Sequence, residues 1–204
     1  VTFTGAVLTG GASTRMGQDK ALLTIDGSEM TSIVAAALVG AGAREVLTIG
    51  GDLAALSSLA WVNRSVSDDD AGEGPLAGIL TAMRHSVDDV VVVLACDTPA
   101  ITSAAPLALV SALLTAPTAG VAYAEVDGRL QPLTAAWRIS RSWDVVSEAF
   151  ARGERAPRTV FASLQAIAVT DVLASAVDDV DCPSDLRRYA ADSLRSSTPN
   201  EDSR

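Results

Sequence analysis

Residues 90–95 read Val-Val-Val-Val-Leu-Ala, an apolar run with no polar interruption. A strand with one wet face alternates apolar and polar residues, so an unbroken run belongs to a strand covered on both faces, at the centre of a parallel sheet. Its surroundings fit that placement. Further strands are expected at 5–9, 46–49 and 61–66, and helices at 31–39, 53–59 and 76–84, with Gly10-Gly11, Gly40, Gly42 and Gly50-Gly51 as stops. Thr31 is the expected N-cap of the first helix, and Pro75 suits the first turn of the third, where its missing N–H costs nothing. Leu107, Val110, Leu113 and Leu114 are expected on one face of a fourth helix. Strand–helix alternation of this kind builds a mostly parallel sheet with helices on both sides, an α/β, Rossmann-like three-layer domain.

The second half is less regular. Val121–Glu125 and Leu130–Trp137 are expected to pair across Asp127-Gly128 as a small β-hairpin insertion. Helices are expected at 142–151, 157–164 and 183–194, with a strand at 166–170. The reading is one domain over 1–194, and the polar residues 195–204 are expected to be a disordered tail.

Composition narrows the function. A formal net charge of −10 over 204 residues argues against a nucleic-acid partner, which demands a basic face. No apolar run approaches the roughly 20 residues of a membrane helix, and Val1-Thr2-Phe3-Thr4-Gly5 lacks the basic start of an export signal. Two cysteines, Cys96 and Cys182, make neither a disulfide framework nor a zinc cluster. The expectation is a cytoplasmic protein with no membrane or nucleic-acid partner.

In open parallel sheets, ligands bind beyond the carboxyl ends of the strands. Three unusual loops follow strands here: Thr9–Lys20, Asp68–Pro75 and Cys96-Asp97-Thr98-Pro99. The first couples adjacent glycines, which let a phosphate approach backbone N–H groups, to Arg15 and Lys20, the only basic residues before Arg44. Its spacing matches neither the P-loop nor the dinucleotide fingerprint. Lys20 is also the sole lysine, although Lys plus Arg number 15, which points to a need for a compact ammonium at that position. Asp97, just after the buried strand, is a candidate ligand for Mg²⁺, an ion that prefers oxygen donors; a helix N-cap is the plainer alternative.

The stretch Leu-x-Gly-Gly-x-Ser-x-Arg-Met-Gly-x-Asp-Lys-Ala-Leu-Leu, residues 8–23, resembles the signature of the molybdenum cofactor guanylyltransferases of the nucleotidyltransferase superfamily. Gly74-Pro75-Leu76-Ala77-Gly78, Cys96-Asp97-Thr98-Pro99, Gln131-Pro132-Leu133, Gly153-Glu154-Arg155 and Asp179-Val180-Asp181-Cys182-Pro183 are similar to further family segments in the same order. The resemblance implies transfer of GMP from Mg-GTP to the phosphate of molybdopterin carrying molybdenum, with release of pyrophosphate. It leaves room for other cofactor-biosynthesis proteins or molybdoenzyme chaperones as partners. Rival readings are a related cytidylyl- or sugar-phosphate nucleotidyltransferase, or a non-catalytic nucleotide-binding subunit.

Carried onto this chain, the resemblance makes 1–100 the nucleotide-binding half and 101–194 the acceptor-binding half, with Arg15, Lys20 and Asp97 the catalytic candidates and Asp97 on the metal. Leu8, Thr9, Gly10, Gly11, Lys20, Gly50 and Asp97 are candidates for the nucleotide, and so is one aspartate of Asp68, Asp69 and Asp70. Guanine offers donors at N1 and N2, which call for an acceptor; Asp69 is the favoured member of that run. Gln131, Pro132, Arg155, Asp179 and Asp181 are candidates for the acceptor. The last two depart from the family's commoner Asn, and they could instead join the metal or cap the following helix. His85 is read as a C-terminal helix residue, Cys96 as a buried small hydrophobe, and Trp61, Trp137 and Trp143 as core or pocket wall.

Overall fold

The structure, a computed structural model, describes residues 2–10, 19–172, 174–177 and 180. In chain order the strands are β1 (Thr4–Leu8), β2 (Thr24–Ile25), β3 (Ser28–Glu29), β4 (Glu45–Ile49), β5 (Arg64–Val66), β6 (Val90–Ala95), β7 (Val121–Val126), β8 (Arg129–Arg138) and β9 (Ile167–Val169). The helices are α1 (Met30–Gly40), α2 (Leu53–Leu56), α3 (Pro75–His85), α4 (Ala104–Thr115) and α5 (Ile139–Ala151). Seven strands form one sheet in the order β5-β4-β1-β6-β8-β7-β9, and β2 and β3 make a separate small ribbon. Every strand of the large sheet runs the same way except β8, which is antiparallel to both β6 and β7.

The run at 90–95 is indeed the central strand, and its two faces feed two cores. Val90, Val92 and Leu94 pack with Val34 and Leu38 of α1 and with Leu109 and Leu113 of α4. Val91 and Val93 pack with Leu76 and Ile79 of α3, Val146 of α5 and the buried Trp137 of β8. Burial of this size is worth roughly 1.5–3 kcal/mol for each large apolar side chain, enough to make the layer order insensitive to any single surface contact. Gly5 shows how tightly the layers meet: a Cβ there would lie 2.9 Å from Leu38 Cδ1.

The hairpin forms across Asp127 and Gly128 and is drawn into the main sheet, because β8 finds in β6 a central strand still lacking a partner on that edge. Its register jumps between Tyr123 and Ala124, leaving Pro132–Thr134 as a bulge on β8. A proline has no N–H to lose there. Four local expectations are corrected. Thr31 does not cap α1; Glu29 holds that position, and the Thr31 hydroxyl donates to Ala21 O at 2.7 Å. Strand β5 begins at Arg64, because Asn63 already closes onto both backbone groups of Val46, and Trp61 sits in a left-handed turn (φ 69°), 58% exposed. Leu107 and Leu114 of α4 face outward, since the buried arc is set by Ala105, Leu109 and Leu113. Residues 157–164 wind as a 3-10 helix. The expected helix at 183–194 and tail at 195–204 lie outside the described residues.

Candidate active site

The carboxyl ends of β1, β4, β5 and β6 are tied into one rim by the backbone. Thr9 N and Gly10 N both donate to Ile49 O at 3.0 Å, Gly50 N donates to Val66 O at 2.8 Å, and Cys96 N donates to Leu8 O at 3.2 Å. The buried Thr9 hydroxyl lies 3.0 Å from Ile49 O and 2.9 Å from Gly50 O, so it locks the same junction. Gly50 is required here. Its φ is +79°, and a Cβ would stand 2.9 Å from Gly10 Cα. The N–H groups of Thr9 and Gly10 are therefore spent on the scaffold, contrary to the expectation that the paired glycines offer theirs to a phosphate. Gly11 and Arg15 lie outside the described residues.

Below this rim is a cavity of about 750 Å³, well inside the usual range of small-molecule sites. Its lining brings together Leu8, Thr9, Gly10, Gly50 and Gly51 with Asp19, Lys20, Cys96 and Asp97. Among the described residues Lys20 is the only cation on its wall, against three carboxylates, Asp19, Asp68 and Asp97. Lys20 Nζ lies 3.7 Å from Asp97 Oδ2, with the two side chains 17% and 25% exposed. Each is placed by a turn. Asp19 caps the 3-10 turn Lys20–Leu22, its Oδ1 accepting from Ala21 N at 3.0 Å. The buried Thr98 donates to Ala95 O at 3.0 Å and so shapes the turn that carries Asp97. Asp97 is not a helix cap, because α4 starts seven residues later with Ser103 before it.

Sequence reasoning overlooked Asp19, whose signal was its place directly before the lone lysine. It joins Asp97 around Cys96, where burial foremost, and then the charges of Asp97 and Asp19, push the thiol up to about 12. A protonated, 8% exposed thiol is no nucleophile. No three His, Cys, Asp or Glu side chains among the described residues form a ready-made metal cage.

The loop Ser67–Gly74 closes the far wall. Of its three aspartates, Asp68 lines the cavity, its Oδ2 facing Gly10, whereas Asp69 turns out to pair with Arg84 of α3. The preference for Asp69 is thereby moved to Asp68. On the β8 side the cavity reaches Leu133, because a reversed strand presents its beginning at the rim; Gln131 and Pro132 sit beside it in or next to the bulge and do not line the cavity. Arg155 is engaged elsewhere. Its Nε and a terminal nitrogen each lie 2.7 Å from Glu73 Oε2, its guanidinium lies 4.4 Å over the Phe150 ring, and its carbonyl accepts from Leu76 N at the start of α3. Asp179 and Asp181 lie outside the described residues, but Val180 between them is buried and its N–H donates to Asp97 O at 2.8 Å. His85 ends α3 and Trp143 is partly buried, as expected.

Residues 5–169 match the family model described as the MobA-like NTP transferase domain. The chain belongs to the MobA-like NTP transferase family. It is a nucleotidyltransferase. A probable molybdenum cofactor guanylyltransferase of Deinococcus radiodurans is 33% identical over 184 residues, covering 90% of this chain and 92% of that one. A molybdenum cofactor guanylyltransferase of Rhizobium meliloti is 32% identical over 206 residues, covering 93% and 92%. The fold is shared with molybdopterin-guanine dinucleotide biosynthesis protein A from Archaeoglobus fulgidus, at a TM-score of 0.74, 22% identity and coverage of 94% and 99%. It is shared almost equally with 4-diphosphocytidyl-2C-methyl-D-erythritol synthase from Anaerococcus prevotii, at a TM-score of 0.73 and 11% identity, covering 95% and 96%. The fold alone therefore does not discriminate between nucleotides. Among the described residues no helix is long and apolar enough to cross a membrane.

Proposed function

We propose that the chain is a molybdenum cofactor guanylyltransferase, moving GMP from GTP to the terminal phosphate of molybdopterin that carries molybdenum. The observation that carries this reading is the single cavity lined by Lys20, Asp19 and Asp97 together with Gly10, Gly50 and Asp68. Relatives that match along nine-tenths of the chain are named for the same reaction.

An oxygen of the acceptor phosphate attacks the α-phosphorus of GTP, the bond from that phosphorus to the bridging oxygen of the β-phosphate breaks, and pyrophosphate leaves with the electron pair. Such transfer depends on alignment and charge neutralisation more than on covalent help from the protein. Leu8, Thr9, Gly10 and Gly50 form the floor of the guanine cleft, and Asp68 Oδ2 accepts from the base. Lys20 pairs with the triphosphate, and Gly11 and Arg15, which precede it in the sequence, are assigned to the same phosphates. Asp97 would hold Mg²⁺, with Asp19 lining the same cavity. When bound, that ion neutralises phosphate charge as it moves onto the leaving group. The acceptor enters from the β8 side, past Leu133, with Gln131, Pro132, Asp179 and Asp181 as its flanking residues. Arg155 supports the guanine loop through Glu73.

Pyrophosphate release from each of the four NTPs, with and without molybdopterin, tests the reading. Release from GTP alone among them, dependent on molybdopterin, is expected. Equal or faster release from CTP would replace it with a cytidylyltransferase, and no release with any NTP would leave nucleotide binding without transfer.

A further inference from the structure

Asp68 is held from behind by a residue that never reaches the cavity. Thr81 lies in the second turn of α3 and is completely buried. Its hydroxyl donates to Asp68 Oδ1 at 3.2 Å and accepts from the backbone N–H of Asp69 at 3.3 Å. Asp70 N also donates to Asp68 Oδ1, at 3.3 Å. A carboxylate oxygen has two lone pairs, so these two donors fill Oδ1. Oδ2 is left on the Gly10 side, 3.9 Å from where a Gly10 Cβ would stand. The two oxygens of one carboxylate are thus given different tasks by a threonine on a rigid helix.

We infer that Thr81 is the positioning residue for base selection: it fixes the rotamer of Asp68 so that Oδ2 alone is offered to a donor on the base. Three features converge on this role. Thr81 serves both sides of the loop at once, accepting from Asp69 N while donating to Asp68, so it sets backbone and side chain together. Helical threonine divides between two χ1 rotamers, and the two hydrogen bonds to the loop hold the Thr81 hydroxyl in the one that faces Asp68. Asp69, next in sequence, is drawn outward to Arg84, whose guanidinium lies 5.7 Å from the Trp143 ring centre, so the loop is pulled from two sides with Asp68 between. A carboxylate held in this way rejects adenine, whose Watson–Crick edge has an acceptor at N1 where guanine has a donor. The inference rests on the guanine reading above, and its test separates the two.

The experiment measures Kd for GTP and for ATP, with Mg²⁺, by calorimetry on the full chain and on Thr81→Val, Thr81→Ser and Asp68→Ala, each checked by thermal melting. Valine keeps the shape of threonine and removes both hydrogen bonds. Thr81→Val is expected to reduce the preference for GTP over ATP by roughly tenfold, the scale of one lost hydrogen bond to a charged group, and Thr81→Ser to restore most of it. Asp68→Ala is expected to lower the preference at least as far. A merely structural threonine would lower the melting temperature of Thr81→Val and leave the ratio unmoved. If Asp68→Ala abolishes the preference and Thr81→Val retains it, Thr81 has no part in selection and the inference is overturned. If Asp68→Ala itself leaves the ratio at the parent value, the base reading at Asp68 is wrong and the role of Thr81 falls with it.

Discussion

At the scale of single residues, the proposed chemistry falls on Asp97 and Lys20, while Cys96 beside them is buried. Asp97→Asn should keep the fold, since its contact with Lys20 is a partly exposed ion pair worth at most about 1 kcal/mol. Turnover should fall by ~100-fold or more, because in the proposed mechanism this carboxylate would hold the metal, whose contribution is made in the transition state. Steady-state rates at saturating Mg²⁺ decide the matter, and near-parent turnover would remove Asp97 as the metal ligand. Cys96 should resist iodoacetamide at pH 8 in the folded protein, being buried and pushed up to about 12, and should react once denaturant unfolds the chain. Peptide mapping separates it from Cys182, and rapid labelling of native Cys96 would show the thiol to be open and ionised. The sequence made Lys20 and Asp97 legible because each is chemically out of place: a lone lysine in an arginine-rich chain, a charge directly after a buried strand. Asp68 was not distinguishable from Asp69, because which of three adjacent aspartates turns inward depends on Thr81 and Arg84, which belong to α3 and meet the loop only after folding.

At the scale of elements, periodicity located most strands and helices, and its misses share a cause. Strand β5 was drawn too long and α4 was rotated, because apolar residues mark burial only when a neighbouring element lies on that side; Trp61, Leu107 and Leu114 are large, apolar and exposed. The join of β8 to β6 was equally hidden, since nothing local to a hairpin states which edge it will extend. The glycine rim was partly legible, as doubled glycines after two strands, but the backbone contact between Gly10 and Gly50 is a tertiary fact. It gives a sharp expectation. Gly50→Ala meets both a left-handed backbone and a 2.9 Å approach to Gly10 Cα, so it should destabilise the protein by about 1–3 kcal/mol and weaken GTP binding by forcing β1 and β4 apart. Urea titration and calorimetry read the two effects, and a substitution silent in both would show that the rim is not rigid.

At the scale of the molecule, a chain of net charge −10 concentrates its one lysine where four parallel strands end, and three loops far apart in sequence form a single cavity there. That convergence was predictable, because parallel strands deliver their following loops to one edge of the sheet. The way the second half of the chain meets that edge was not, because the reversed direction of β8 and the contact of Val180 with Asp97 arise only on folding. Labelling of Lys20 by an amine-selective reagent tests the central claim, that this cavity holds the nucleotide triphosphate. With no other lysine in the chain, the α-amine is the sole competing amine and serves as the internal control. Mg-GTP at saturation should slow modification of Lys20 strongly while leaving the α-amine rate unchanged, and Lys20→Arg should fold yet transfer poorly, a planar fork being a poor substitute for a compact charge. Unchanged labelling of Lys20 under saturating Mg-GTP, together with full activity of Lys20→Arg, would contradict the account.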